Sequence, residues 1–492
     1  MRSILFLSDS VNRRMLKLYN ESGLDLPNLR RLAERSVVFD NHWVGSAPCM
    51  PARRDIMTGR LNFLERGWGP IEPFDDTLPM LLRDGGISTH MFTDHYHYFE
   101  IGGENYCQQF NQWEFVRGQE WDPEVLSGDP MPEHIGKMHP QYARNREQFY
   151  RTEERYPSVV TVEKAAKWLE ENHARDDFFL WVEPFDPHEP FEVPQKYLDM
   201  VGDDYTGPLY LWPEYDKTDG DEEHLKHIRR RYAALLLMTD KHLGSILDVM
   251  DRHGMWDDTA FIYTTDHGYM LGEHDFMAKN YMPCYEELVN IPFFLHDPRH
   301  PEADGTRRNA LTQTIDIPVT LLRYFGKPVP DAMQGRDLEK VITDDAMIHD
   351  AILFGYFGKH INVRDQRYVY MRAARDNTKL NEYTLMATRL AQWFTRDELR
   401  MAEPEMYRGF DYCGNVPVMK IPGNTKYVPN VTYLDYDVHL QYGDLLFDLE
   451  KDKAEEHNLK DDEKLVRELS EKMIRLMKES EAPAEQYERM GF

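Results

Sequence analysis

The sequence predicts an α/β fold in which helices cover both faces of a large, mostly parallel sheet. Short apolar runs that end in an aspartate occur at 4–9, 90–94, 178–186 and 261–266, and segments with helical spacing lie between them. Continuous apolar strands indicate a sheet that is buried on both faces, and alternation with helices indicates crossover connections. Because 492 residues exceed what one hydrophobic core usually organises, we also expect a second, smaller domain.

The sequence predicts three helices that pack on this sheet. They cover 26–36, 162–174 and 231–254, and the first two place apolar residues on one face at helical spacing: Leu26, Leu29, Leu32 and Ala33, then Val162, Ala165, Ala166 and Leu169. Gly254 is expected to end the third, long helix.

Beyond about residue 345 the pattern changes, which predicts a catalytic α/β domain over 1–345 and a C-terminal subdomain over 346–492. Residues 360–373 alternate like a half-exposed strand, and 461–481 carry one apolar stripe. We therefore expect a small antiparallel sheet and a terminal helix. The aromatic region 404–435 is expected to form a long ordered excursion beside a pocket.

Composition excludes several classes of function. The formal net charge of −28 argues against nucleic-acid binding, because the chain lacks the basic surface that replaces counterions. The four cysteines are widely spaced, which excludes a disulfide scaffold and a zinc ribbon. The first apolar run is too short for a signal peptide, and no run has transmembrane length, so we expect a cytoplasmic protein that does not bind membranes. The sequence leaves the oligomeric state open.

The strand-end aspartates indicate where a site would lie. Ligands of open α/β sheets bind outside the carboxyl ends of the strands, where Asp9, Asp94, Asp186 and Asp266 fall. Each alone could be a helix N-cap, but four together favour a site. Asp266 and His267 precede Gly268, where the backbone can turn sharply, so both side chains could bind one cation together with Asp9.

The segment Ser46–Arg60, SAPCMPARRDIMTGR, places Cys49 at a predicted helix start. A helix N-terminus presents free N–H groups, which suit an anion or an ionised nucleophile. Arg53 lies one turn further on the same side, and Lys279 could direct a second positive charge at a bound anion. A cation, a nucleophile and two basic side chains suit displacement at a tetrahedral oxyanion.

The pattern Cys49-x-Pro51-x-Arg53, continued by Thr58-Gly59-Arg60, resembles the signature of the formylglycine-dependent sulfatases of the alkaline phosphatase superfamily. Similar landmarks extend along nearly the whole chain: Asp9, DPHEPF (186–191), TDHGYMLGEH with Lys279, MQGRDL (333–338) and LLFDLEKDKAEEHNL (445–459). The resemblance implies an alkaline phosphatase-like fold. It also implies a hydrolase of sulfuric ester bonds whose substrate is a small sulfated molecule, such as a sulfated sugar.

The resemblance further implies a role for each site residue. A formylglycine-generating maturation enzyme would oxidise Cys49 to formylglycine (3-oxoalanine), whose hydrate supplies the nucleophile and then releases sulfate. Arg53 would hold the hydrate, Lys279 the sulfate oxygens, and His188 would act at the leaving-group oxygen. The metal ligands would be Asp9, Ser10, Cys49, Asp266 and His267, with Ca²⁺ as the expected ion and Mn²⁺ as the alternative.

Two departures from the family pattern leave the substrate open. Ser10 stands where a second acidic residue is usual, and His95 replaces a lysine in the segment that ends at His97. His95 and His97 are expected to bind substrate, although both could belong to an aromatic loop. A less cationic pocket would also suit a phosphonate monoester or a phosphodiester. The sequence is also compatible with a non-catalytic binding protein of the same fold and with a cysteine hydrolase, which would need a base beside Cys49.

Overall fold

A computed structural model describes residues 1–128, 131–375, 379–403, 405–423 and 438–492. The strands of these residues are β1 (Arg2–Ser8), β2 (Val37–Phe39), β3 (His42–Trp43), β4 (Ser46–Ala47), β5 (Ser88–Thr93), β6 (Gln112–Phe115), β7 (Phe178–Glu183), β8 (Thr259–Thr265), β9 (Met270–Leu271), β10 (Met277–Ala278), β11 (Phe293–His296), β12 (Arg307–Arg308), β13 (Thr312–Gln313), β14 (Ala351–Tyr356), β15 (Ile361–Asp365), β16 (Tyr368–Arg372), β17 (Asn381–Thr384), β18 (Thr388–Arg389), β19 (Gln392–Trp393), β20 (Met419–Pro422) and β21 (Leu445–Asp448).

The helices of the same residues are α1 (Pro27–Ala33), α2 (Cys49–Thr58), α3 (Leu78–Asp84), α4 (Pro140–Phe149), α5 (Pro157–Asn172), α6 (Gln195–Met200), α7 (Glu222–Arg252), α8 (Glu286–Val289), α9 (Asp316–Tyr324), α10 (Glu339–Asp344), α11 (Arg396–Met401), α12 (Glu463–Glu479) and α13 (Ala484–Met490). No helix among the described residues combines the length and the apolar character needed to cross a membrane.

An eight-stranded mixed sheet in the order β12-β2-β11-β8-β1-β7-β5-β6 forms the centre of the fold. Strand β1 pairs in parallel with β7 and β8, whereas β11 runs antiparallel to both of its neighbours. Successive side chains of β1 enter opposite cores: Phe6 packs with residues of α5 and α7, and Leu7 with residues of α2 and α9. Helices therefore cover both faces, and the predicted fold class is confirmed.

Three predicted elements have different bounds in the structure. Strand β7 ends at Glu183, three residues before Asp186. Helix α7 begins at Glu222 rather than 231, because Asp221 caps the backbone N–H groups of Glu223 and His224. Residues 360–373 form a hairpin, not one strand: the Asp365 carboxylate accepts the N–H groups of Arg367 and Tyr368 and turns the chain between β15 and β16.

The second sheet has the order β21-β16-β15-β14-β4. Its edge strand β4 comes from residues 46–47 and pairs in parallel with β14, so this sheet adjoins the start of α2. The predicted terminal helix is α12, which packs Leu469, Met473 and Met477 against β14, β15 and β16, but it is not the last helix, because α13 follows it. The domain boundary at 345 stays a prediction. Of the region 404–435, residue 404 and residues 424–435 lie outside the described residues.

Candidate active site

Cys49 is the first residue of α2 and lies close to Asp9 and Asp266, which follow the carboxyl ends of β1 and β8. Its side chain is buried, and its Sγ lies 3.1 Å from Nε2 of His267 and 3.4 Å from Nζ of Lys279. The fold therefore brings the cysteine into contact with the segment 266–279, which forms a separate motif in the sequence.

Asp9 and Asp266 meet because the strands that precede them are neighbours. In the parallel pair β1–β8, Ser8 stands opposite Thr265, so the two aspartates follow at the same edge of the sheet. Oδ1 of Asp266 accepts the backbone N–H groups of Ser10 at 3.0 Å and of His267 at 2.8 Å. These bonds fix the carboxylate and the start of the next loop.

Four groups in this pocket could hold one metal ion. Asp9, Cys49, Asp266 and His267 are buried, and each offers a ligand atom within 4.8 Å of the others. Nδ1 of His267 lies 2.8 Å from the carbonyl oxygen of Gly268 and so carries the ring proton, because a carbonyl can only accept. The Nε2 lone pair is then free for a cation. A Cβ at Gly268 would lie 1.8 Å from the carbonyl oxygen of Glu287, so this close approach requires glycine.

Arg53 joins three buried carboxylates. Its Nη2 donates to Asp9 at 2.8 Å, its Nη1 to Asp266 at 2.6 Å, and its Nε to Glu183 at 2.6 Å. Nη1 also lies 3.1 Å from the carbonyl oxygen of Cys49, one helical turn earlier. The guanidinium thus positions both aspartates relative to residue 49, since its fork has donors in fixed directions.

Glu183 is a site residue that sequence analysis missed. Burial raises its pKa to about 7 against the effect of Arg53, and Tyr98 donates to it at 3.0 Å. It lies at the end of β7, inside a run that reads as ordinary strand. A charged residue ending an otherwise apolar buried strand was the available signal.

Lys279 is the second basic residue near Asp9, and the hydroxyl group of Ser10 bridges the two side chains. Nζ of Lys279 donates to Oγ of Ser10 at 3.1 Å, and this hydroxyl donates to Oδ1 of Asp9 at 2.7 Å. Burial lowers the pKa of Lys279, but the negative charges around it outweigh that effect and raise the pKa. A buried ammonium group therefore faces residue 49.

The unmodified thiol is poorly suited to act as a nucleophile. Burial raises the pKa of Cys49 well above its usual value, and the nearby Lys279 does not offset this. Burial also lowers the pKa of His267, so the adjacent imidazole is a weak base. A protonated thiol beside a neutral imidazole argues against a cysteine hydrolase.

The three predicted histidines other than His267 occupy different positions. His95 is fully buried, with Nε2 3.5 Å from Oδ2 of Asp9. His97 lies one layer further out and bonds Glu100 at 2.6 Å through Nδ1. Nδ1 of His188 contacts the carbonyl oxygen of Glu189, while its ring stacks on Phe185 at 4.0 Å.

The other two strand-end aspartates brace the loop that carries His188. Asp94 accepts bonds from the backbone N–H of Phe185 at 3.0 Å and from Oγ of Ser158 at 2.8 Å. The same Ser158 hydroxyl accepts the backbone N–H of Asp186 at 3.1 Å. Asp94 and Asp186 therefore lie outside the group of candidate metal ligands.

Comparison with known proteins agrees with this geometry. Residues 3–327 match the model of the family "Sulfatase", and residues 272–389 match "N-sulphoglucosamine sulphohydrolase, C-terminal". An N-acetylglucosamine-6-O-sulfatase of Bacteroides thetaiotaomicron is 22% identical over 423 residues, which cover 70% of this chain and 71% of that protein.

Two solved structures share the fold along almost the whole chain. The phosphonate monoester hydrolase of Agrobacterium radiobacter has a TM-score of 0.69 at 18% identity. The match covers 97% of this chain and 96% of that chain. A protein solved with its substrate D-glucosamine-2-N,6-O-disulfate has a TM-score of 0.65 at 16% identity and covers 98% of both chains. The expected alkaline phosphatase-like architecture and a hydrolase of sulfuric ester bonds are thus confirmed, and the chain belongs to the sulfatase family.

Proposed function

We propose that this protein hydrolyses the sulfate ester of a small molecule, a sulfated sugar, with formylglycine derived from Cys49 and one divalent cation. The position of Cys49 carries the proposal: its Sγ lies among Asp9, Asp266 and His267 and 3.4 Å from the Lys279 ammonium group. A nucleophile, a cation and a fixed positive charge can then act on the same sulfur centre.

The donor set suits a divalent cation. Arg53 and Lys279 lie against the carboxylates of Asp9 and Asp266, and these carboxylates still offer oxygen atoms to a cation. Asp9, Asp266, His267 and residue 49 would bind it, with the Ser10 hydroxyl adjacent. The carboxylate oxygens favour Ca²⁺, and the imidazole makes Mn²⁺ the alternative. Such an ion would stabilise negative charge on the sulfate oxygens.

Oxidation of Cys49 gives this position its chemistry. The Cys49-x-Pro51-x-Arg53 segment would be read by a maturation enzyme before folding, since the folded chain buries all three residues. Hydrated formylglycine supplies a nucleophilic hydroxyl and afterwards expels sulfate, which the protonated thiol of the unmodified chain does not do.

The remaining side chains bind, orient and transfer protons. Arg53 fixes the positions of residue 49 and of both aspartates, because it bonds the carbonyl oxygen of residue 49 and the carboxylates of Asp9, Asp266 and Glu183. Lys279 would contact the sulfate oxygens. Nδ1 of His188 carries its proton towards the Glu189 carbonyl, which fixes the ring and turns Nε2 to the leaving-group oxygen; Nε2 would donate to that oxygen from the doubly protonated ring. His95 and His97 would line the path to the leaving group.

Hydrolysis of a phosphonate monoester or a phosphodiester is the second candidate. The hydroxyl of Ser10 and the imidazole of His95 are neutral groups beside Asp9, and burial lowers the pKa of His95 well below its usual value. A pocket with fewer fixed cations discriminates less strongly for a sulfate group. A non-catalytic binding role would not require the buried set of Cys49, Arg53 and Lys279.

Kinetics on matched substrates test this order. We would measure kcat/KM for an aryl sulfate, the corresponding aryl phosphonate monoester and a diaryl phosphate, using enzyme coexpressed with a maturation enzyme and the Cys49→Ala variant as the background. A preference for the sulfate supports the proposal. A large, reproducible preference for the phosphonate or the diester would reverse the order, and activity retained in Cys49→Ala would remove the proposed nucleophile.

A further inference from the structure

Ser10 adopts a backbone conformation that its residue type disfavours. Its φ of 65° lies in the left-handed region, which a residue other than glycine rarely occupies. Such a conformation is strained, and it persists where the surrounding contacts enforce it, often at functional sites. Ser10 directly follows Asp9, a candidate metal ligand, so the contacts that hold Ser10 also affect the candidate active site.

Residues 9–12, which we call the Ser10 turn, contact the site through three groups of Ser10. The backbone N–H of Ser10 donates to Oδ1 of Asp266 at 3.0 Å, and its hydroxyl donates to Oδ1 of Asp9 at 2.7 Å. The oxygen of the same hydroxyl accepts the Lys279 ammonium group at 3.1 Å. The conformation of Ser10 therefore sets the relative positions of two aspartates and a lysine.

The fourth group, the backbone carbonyl of Ser10, contacts a residue outside the site. The hydroxyl of Tyr232 donates to this carbonyl at 2.7 Å and accepts the backbone N–H of Asn12 at 2.7 Å. Neither backbone group has another hydrogen-bond partner in the part of the chain that the structure describes. One hydroxyl thus bonds the chain on both sides of Val11 and closes the Ser10 turn.

The core of the protein fixes the Tyr232 ring. Tyr232 belongs to helix α7, is fully buried, and its ring has an edge contact with Phe191 at 5.4 Å. Burial raises the pKa of Tyr232 well above its usual value, so the hydroxyl retains the proton that it donates to Ser10. The packing of α7 in the core therefore sets the position of this hydroxyl.

We propose that Tyr232 is a positioning residue whose hydroxyl holds Ser10 in the left-handed conformation and thereby places Asp9 and Lys279 for the reaction. Without this hydroxyl, two buried backbone groups lose their partner, and Ser10 can relax towards the conformations that serine prefers. The Ser10 hydroxyl then moves away from both side chains. The inference rests on the proposed function, because it names a residue on which a metal ligand and the sulfate-binding lysine depend.

Tyr269 provides a matched control. It is also fully buried, and its ring stacks on that of Tyr232 with 6.2 Å between the centroids. Its hydroxyl, however, has no hydrogen-bond partner among the described residues. Tyr232→Phe and Tyr269→Phe therefore remove the same atom from neighbouring rings, and only Tyr232→Phe breaks bonds to the Ser10 turn.

Metal binding reports on the position of Asp9 without turnover. We would determine the dissociation constant of Ca²⁺, with Mn²⁺ as a second probe, by isothermal titration calorimetry on the unmatured protein. Tyr232→Phe should weaken binding by ~10-fold or more, the usual effect of removing a group that orients a metal ligand. Tyr269→Phe should keep the wild-type dissociation constant.

The Ser10→Gly background tests whether Tyr232 acts through this turn. Glycine adopts the left-handed conformation without strain, so the turn needs the hydroxyl less. Tyr232→Phe should then weaken Ca²⁺ binding by less than ~3-fold relative to Ser10→Gly alone. An equal loss in both backgrounds would show that Tyr232 does not act through the conformation of Ser10 and would overturn the proposal.

Kinetics on the matured enzyme report on the position of Lys279. At saturating Ca²⁺ we expect kcat/KM for an aryl sulfate to stay ~10-fold lower in Tyr232→Phe than in the wild type, chiefly through a higher KM. The reason is that the ammonium group that would hold the sulfate loses its contact with Ser10. Lower stability alone would leave KM unchanged at a temperature where both proteins are folded.

The outcomes separate this proposal from the proposed function. Absence of aryl sulfate turnover by the matured wild-type enzyme defeats the proposed function, whereas Ca²⁺ binding and a crystal structure of Tyr232→Phe still test the role of Tyr232. Wild-type Ca²⁺ affinity and KM in Tyr232→Phe, or equal losses in Tyr269→Phe, would overturn that role. A crystal structure of Tyr232→Phe in which Ser10 keeps its φ of 65° would also overturn it.

Discussion

Sγ of Cys49 lies 3.1 Å from Nε2 of His267, although 218 residues separate the two in the chain. Cys49 is the first residue of α2, and His267 follows the end of β8 by two residues, so the contact joins the start of a helix to the end of a strand. Sequence analysis identified Cys49 because it begins a predicted helix and His267 because it follows a predicted strand, and the fold brings the two together.

Replacement of Cys49 tests the nucleophile. Cys49→Ala should abolish turnover of an aryl sulfate, because alanine cannot form the aldehyde hydrate. The fold should persist, with circular dichroism unchanged, since one small buried side chain is shortened. Cys413→Ala is the control: Cys413 is also buried, but it packs with Phe410 and Val418 in a separate cluster and should retain full activity.

Replacement of Arg53 tests its positioning role. Arg53→Met keeps the approximate volume but leaves the carboxylates of Asp9, Glu183 and Asp266 without their shared partner. We expect the free energy of unfolding to fall by ~3–5 kcal/mol, as when one partner of a buried ion pair is removed. The control Arg31→Met removes two surface ion pairs, with Asp248 and Asp251, and should change the free energy of unfolding by about 1 kcal/mol or less. Equal denaturation midpoints for the two variants would contradict the assignment.

Replacement of Asp266 tests the metal ligands. Asp266→Asn should reduce bound metal and turnover together, because a charged ligand is lost and an NH₂ group can face Arg53. We expect at least the ~10–100-fold loss of affinity that follows removal of an outer partner. Metal content by plasma mass spectrometry measures this. Asp94→Asn, another strand-end aspartate, should keep the wild-type metal content, and a normal metal content in Asp266→Asn would refute the ligand role.

Replacement of His188 tests proton transfer to the leaving group. His188→Ala should lower kcat/KM by ~10²–10⁴-fold for aryl sulfates with poor leaving groups, the usual contribution of a general acid. Good leaving groups need less protonation and should be affected less, so the dependence of rate on the pKa of the phenol should steepen. A uniform loss across the phenol series would leave His188 with a purely structural role.

The fold could be predicted further than the site. Apolar runs and strand-end aspartates identified β1, β5, β7 and β8, since a strand buried on both faces reads continuously in the sequence. The hairpin of β15 and β16 has the pattern of one strand, because its turn uses the Asp365 side chain and contains neither glycine nor proline.

The partners of the site residues could not be read from local pattern. Glu183 contacts Arg53 from a strand 130 residues away in the chain, and the pairing depends on the strand order of the whole sheet. Residue type and spacing give candidates, but satisfaction of a buried polar group is a property of the folded chain.

Mass spectrometry of the peptide that contains Cys49 tests the central proposal most directly. The protein is purified from its own host, digested, and the Ser46–Arg60 region is analysed intact, with a peptide containing Cys107 as the internal reference. The account predicts an aldehyde, or its hydrate, at residue 49 that reacts with a hydrazide probe, and an unmodified thiol at residue 107. A free thiol at residue 49 in enzyme that actively releases sulfate would contradict it.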